Sequence, residues 1–114
     1  MGYESRLYVV QKSQVAKHNN KYWCEVIASF DLCKVDINFR KYLKTDSYFI
    51  EGNEYVFEDC YGEPLRELTI AEAIKEIENA MARYDYRRWK PILGLLKGFN
   101  EDEWGDLRVL HYGH

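Results

Sequence analysis

Cationic and aromatic side chains crowd residues 83–90, which read RYDYRRWK. A guanidinium grips a phosphate or carboxylate through two parallel hydrogen bonds, and a tyrosine or tryptophan ring stacks on a planar ligand. The run therefore suits a nucleotide or an acidic partner protein. A plainer reading gives these cations to the end of a helix, whose dipole they complement. A second grouping closes the sequence. Residues 89–114 carry two tryptophans, a glycine-spaced apolar stretch and a final His-Tyr-Gly-His. So apolar a run is expected to dock on the rest of the chain and hold its polar groups in place. A third grouping spans the two ends. Arg6 on a first strand and Arg108 and Tyr112 on a last strand would line one polar surface if those strands pair, with cross-strand ion pairing to Glu4 as the plainer account. Together these groupings nominate Arg6, Tyr86, Arg87, Arg88, Trp89, Lys97, Arg108, His111 and Tyr112 as ligand-binding residues.

Catalytic chemistry is poorly served. His111 and His114 are three apart, a spacing that a strand splits between its two faces, so they make a poor metal pair. Cys24, Cys33 and Cys60 lack the short paired spacings of a structural zinc site and sit beside no evident base, so they read as small core residues. The acidic pairs Glu58 with Asp59, and Glu101, Asp102 and Glu103, read as solvated loop charges. The run GLLKG at 94–98 lacks the Gly-Lys-Ser/Thr ending of a phosphate loop. No cofactor, catalytic residue or metal is implied.

The elements that must position these groups follow from periodicity. Residues 3–12 and 22–32 alternate loosely and predict a first hairpin around a polar turn at 17–21. In the second strand Tyr22, Cys24, Val26, Ala28 and Phe30 are expected to share a face. Residues 35–42 fit a short strand or an irregular edge. Residues 47–51 and 55–59 flank Gly52 and predict a second hairpin, because glycine adopts the positive φ of a tight turn. Gly62 and Pro64 predict a loop over 60–68. Thr69 and Glu72 form a capping box ahead of Ile70, Ala73, Ile74, Ile77, Met81 and Tyr84, which predicts an amphipathic helix over about 70–88. Pro91 ends that helix or opens a shorter one over about 91–98, with Gly98 as its cap. A last strand over 107–112 should pair with the first. The expectation is one α+β domain over 1–114, an antiparallel sheet of four to six strands with both helices on one face.

Composition bounds the function. The 114 residues fit one domain, and 46% hydrophobic and 16% aromatic content, including ten tyrosines, suits a globular protein with half-buried sheet faces. A net charge of -3 argues against general nucleic-acid binding. The sequence shows no run long enough to span a membrane, no secretory hydrophobic region and an odd number of cysteines, so a cytoplasmic setting with reduced thiols is expected. Arg6 stands where an acylation signal wants serine or threonine.

Five segments carry a family resemblance: MGYESRLY at 1–8, FDLCK at 30–34, YGEPL at 61–65, LGLLKGFN at 93–100 and LHYGH at 110–114. Across nearly its whole length the chain resembles a family of small accessory proteins of tailed phages and prophages of Gram-positive bacteria. The resemblance implies a phage protein acting in the cytoplasm of an infected bacterial host, a setting in which such proteins often inhibit host defences. It transfers no functional residue. The leading expectation is a non-catalytic counter-defence protein that binds and sequesters a small nucleotide-type signal, possible as a homo-oligomer. Two alternatives stand beside it: an inhibitor that blocks a host defence protein, and a small nucleotide hydrolase or nuclease using His111 or His114.

Overall fold

The computed structural model describes residues 5–32, 37–83, 87, 89–101 and 107–113. They form an α+β fold: a six-stranded mixed sheet and two helices. The strands are β1 (Ser5–His18), β2 (Lys21–Leu32), β3 (Ser47–Glu51), β4 (Glu54–Val56), β5 (Arg66–Leu68) and β6 (Leu107–Gly113). The helices are α1 (Ile70–Arg83) and α2 (Trp89–Glu101). The sheet order is β4-β3-β2-β1-β6-β5, which puts β2 and β1 at the centre. The last strand pairs with the first, as its alternation predicts, with Arg6 opposite Tyr112 and Val10 opposite Arg108.

The first hairpin turns at Asn19 and Asn20, both at positive φ (53° and 62°). Asparagine tolerates that conformation, and two such residues make the turn whose twist suits a hairpin. β1 runs on to His18 because Lys17 and His18 resume pairing with Tyr22 and Lys21 beyond an interruption after Lys12. The Ser13 hydroxyl accepts the amides of Val15 and Ala16 inside that interruption. In β2 the expected single face is broken. Val9 pairs with Ala28 but Val10 pairs with Val26, so a bulge at Ile27 reverses the alternation. Cys24 therefore faces away from the helices, whereas Ala28 and Phe30 pack beneath them.

The sheet is not wholly antiparallel. β2 and β3 pair in parallel at Tyr22–Ser47 and Trp23–Tyr48. The connection over residues 33–46 is long enough to return the chain to its starting end, as a parallel pair requires. Residues 37–43 take the irregular form, with a 3₁₀ turn at Phe39–Lys41 that buries Phe39. The expected loop over 60–68 holds only in part, since β5 occupies its end. Three residues are too few to show a period. Lys44 then bridges antiparallel to Arg66, with Thr45 N–H donating to Leu65 O and Glu67 N–H to Leu43 O. The lead into β3 thus meets β5 across the curl of the sheet.

The curl gives the sheet two apolar sides. On the helix side Leu7, Val9, Leu107 and Val109 pack against Ile70, Ala73, Ile77 and Trp89. Inside the curl Tyr8, Val10, Cys24, Phe49, Leu65 and Leu110 form a second core. The capping box is present: Thr69 N–H donates to Glu72 Oε1 at 2.9 Å, and Glu72 N–H to Thr69 Oγ1 at 3.1 Å. α1 reaches Arg83 rather than 88, and Arg87 lies in a turn. The break has a packing reason. Trp89 stands nine residues beyond Ala80, about two and a half turns, so an unbroken helix would point it away from the core. Restarting the helix at Trp89 buries its ring completely. Pro91 sits in the first turn of α2, where a missing amide costs little. Gly98 lies inside α2, which continues to Glu101, so it is not the cap expected of it.

Candidate functional site

The fold separates the nine residues nominated by the sequence. Trp89 is fully buried at the α1–α2 junction. His111 is 4% exposed and faces the helices; its ring stacks on Phe39 with centroids 4.3 Å apart, and its Nε2 lies 2.9 Å from Ser5 Oγ. Arg6, Arg108 and Tyr112 do share the opposite face. They do not converge, because Arg108 is four residues along β6 from Tyr112. Arg6 Nε donates to Asp31 Oδ1 at 2.7 Å and its Nη1 to Tyr8 Oη at 3.4 Å, while the Tyr8 hydroxyl donates to Glu51 Oε2 at 3.1 Å. The Asp31 hydrogen bond holds the guanidinium firmly charged, and burial pushes the Tyr8 phenol up from its ordinary range. Lys97 lies on α2, 3.3 Å from Glu78, and Arg87 is exposed in its turn. Tyr86 and Arg88 lie outside the described residues, as do Glu4 and His114.

Described residues line two concavities. One, of about 480 Å³, lies between β5, the start of α1 and residues 43–46. Its hub is Glu67. Oε1 of Glu67 accepts from Thr45 Oγ1 at 2.8 Å and Ser47 Oγ at 3.2 Å and lies 3.7 Å from Lys12 Nζ, while Oε2 lies 3.9 Å from Arg108. Lys12 also reaches Asp46 at 3.0 Å. Burial opposes the Lys12 charge, but the Asp46 hydrogen bond and the Glu67 carboxylate outweigh it and leave the pKa raised. Burial likewise raises the nearby Cys24 thiol, which is therefore no ready nucleophile at neutral pH. Cations and carboxylates neutralise one another here, so the cluster ties β1, β3 and β5 together.

The second concavity, of about 450 Å³, is lined by Glu54, Tyr55, Val56, Phe57, Glu58, Asp59 and Tyr112. It belongs to a stretch of unusual charge. Residues 47–63 hold five carboxylates (Glu51, Glu54, Glu58, Asp59 and Glu63) and no cation. Asp59 is structural: its Oδ1 accepts the amides of Tyr61 and Glu63, at 2.9 and 3.0 Å. Glu54 and Glu58 are not so tied and flank Tyr55 and Phe57 along the chain. Tyr55 and Tyr61 are each about half exposed (51% and 54%). Burial, with the charge of nearby Cys60 and Asp59, raises the Tyr112 phenol.

Beside this acidic stretch lies a cluster of rings. His18 at the end of β1 stacks on Tyr55 at 4.5 Å and on Phe57 at 5.8 Å, with interplanar angles of 14° and 20°. Tyr55 and Phe57 are stacked at 12°, and Tyr48 packs tilted against both. The hairpin that carries His18 is basic: residues 12–21 include Lys12, Lys17 and Lys21 and no carboxylate. Lys12 and Lys17 both lie over the Tyr22 ring, 5.0 and 4.5 Å from its centroid. Sequence reading missed this assembly. The alternation of Tyr48 with Ile50 and of Tyr55 with Phe57 was a usable signal for a shared face, but nothing local joined His18 to it.

Among the described residues, no group of three or more histidine, cysteine or acidic side chains is placed to hold a metal, and no helix is long and apolar enough to cross a membrane. Comparison with protein-family models, curated proteins and solved structures finds no match for this chain.

Proposed function

We propose that this chain is a non-catalytic binding protein that occupies a basic surface of a partner protein through the acidic, tyrosine-rich β3–β4 hairpin and the loop after it. In the infected bacterial cell that the phage resemblance implies, that partner is a host defence protein and binding blocks it. One observation carries the reading: residues 47–63 concentrate five carboxylates with no cation, and they expose Tyr55 and Tyr61 beside a concavity walled by Glu54, Glu58 and Tyr112. Half-exposed tyrosines supply contact area at low entropic cost, and carboxylates steer and pair with lysine and arginine. Sequestration of a small nucleotide-type signal is the second reading. It is favoured by the Tyr22 ring beneath Lys17, a pairing of aromatic face and cation that suits a base and a phosphate.

Two measurements on the purified chain decide between them. Capture from a bacterial lysate should retain a partner that elutes with moderate salt, and Glu54→Lys with Glu58→Lys should abolish retention while leaving the circular dichroism spectrum unchanged. Thermal shift against cyclic nucleotides and ADP-ribose derivatives should show no ligand that stabilises the fold. A ligand at a hundred times its Kd would add about 2.7 kcal/mol of stability. Such a rise would move the function to the second reading, and retention unaffected by the double charge reversal would overturn the first.

A further inference from the structure

The structure assigns a strand-docking site to the free edge of β2: an extended segment of a partner protein, bearing a lysine or arginine, adds there as a further strand. β2 pairs with β1 along its length, but on its other side β3 meets it only at Tyr22 and Trp23. Tyr22 N–H donates to Asp46 O at 2.6 Å where that contact begins. β3 then turns into the curl. Its Phe49 ring lies 4.3 Å from the Tyr8 ring of β1, and its Glu51 accepts from the Tyr8 hydroxyl. Among the described residues no other strand takes its place, so β2 is open beyond Cys24. Every second residue of such an edge turns its N–H and C=O outward, and only another extended backbone matches that row. The unpaired backbone therefore names the ligand as a peptide strand.

The edge is accessible and little protected. Glu25, Val26, Ser29 and Asp31 are exposed along it. Edge strands are commonly blunted by lysine or proline, and residues 24–32 contain neither. The bulge at Ile27 twists the edge, which limits docking to a short segment and opposes open-ended stacking. Charge selects the partner. Residues 24–32 carry two carboxylates, Glu25 and Asp31, and no cation. Asp31 is held by Arg6 at 2.7 Å, whereas Glu25 makes no ion pair among the described residues. A second copy of β2 would bring more carboxylates and nothing to neutralise Glu25. The occupant is therefore a different protein, whose strand sets a cation beside Glu25 and apolar side chains beside Val26 on one side of the sheet and Phe30 on the other.

The test mixes the purified full-length chain with a short peptide of alternating valine and lysine and follows amide exchange residue by residue. The peptide should slow exchange over residues 25–32. The same peptide with proline for its central valine should not, because it lacks the backbone donor. A counterpart with glutamate for lysine should not, because it repels Glu25. Glu25→Lys, at an exposed position, should weaken binding about tenfold with an unchanged circular dichroism spectrum. No protection at millimolar peptide would overturn the proposal, as would equal protection by the proline or glutamate peptide. Protection that grows with protein concentration alone, with a mass rising above 13.7 kDa, would give the edge to a second copy and overturn it too. The edge shares no residue with the acidic hairpin, so a failure here leaves the proposed function standing.

Discussion

Trp89 shows how a residue's chemistry is settled by its neighbours. Its indole could stack on a ligand, and the surrounding arginines suggest one, but the ring lies fully buried between the helices and the sheet. His111, attractive as a base, is held against Phe39 and Ser5 instead. Amphipathic side chains are ambiguous in sequence because the same ring or imidazole serves a core or a surface. Trp89→Ala should therefore cost about 3–5 kcal/mol of stability, as large core truncations do. Denaturant unfolding would measure it; a loss under 1 kcal/mol would mean that the ring is not a core residue. Of the residues that wall the acidic concavity, Tyr112 is nominated by the sequence, and Glu54 and Glu58 are not. In sequence Glu58 reads as a solvated loop charge and His18 as part of a polar turn; only the fold sets Glu58 in one concavity with Tyr112 and His18 against Tyr55.

At the scale of elements, short-range patterns were legible wherever the cause is local. The capping box of Thr69 and Glu72 is written within four residues and forms as predicted. Thr69→Ala should lower stability by about 1 kcal/mol, since it leaves one amide of the first turn without its acceptor. The loss should appear as a lower Tm with no change in the unfolding m-value. Gly52, at a φ of 64°, turns the β3–β4 hairpin as expected. Boundaries set by distant contacts were not legible. α1 ends early so that Trp89 can turn inward, and β2 inserts a residue at Ile27 so that Cys24 and Ala28 serve different cores. Neither Arg83 nor Ile27 carries a local signal for this.

For the whole molecule, what matters is which distant segments are tied together. The irregular segment before β3 is fastened to α1 by Glu76, which accepts from the Tyr42 hydroxyl at 2.6 Å and pairs with Lys41. Burial alone would raise the Glu76 carboxyl, but the hydrogen bonds from Lys41 and Tyr42 outweigh it and hold the pKa below the usual glutamate value. A carboxyl depressed in the folded state stabilises the fold above its unfolded pKa, about 4.3, and that contribution fades as pH falls toward the lower folded value. Glu76→Gln should therefore flatten the loss of Tm on acidification below about pH 4.3, and parallel wild-type and variant curves would show that this tie does not govern it. The Lys44–Arg66 bridge, which joins the segment before β3 to β5, is a tie of the same long-range kind.

The sequence alone determined the kinds of element and much of their order, because helix caps, hairpin turns and apolar periods act over a few neighbouring residues. It also determined the alternation of the first and last strands, whose pairing the tertiary structure supplies. Only the tertiary structure decided the parallel β2–β3 pair, the curl and the assembly of His18, Tyr48, Tyr55 and Phe57 into one face. Those depend on contacts between residues far apart in the chain. Strand alternation places a side chain on one side of its own strand, and only packing decides which strands then lie beside it and whether water reaches it.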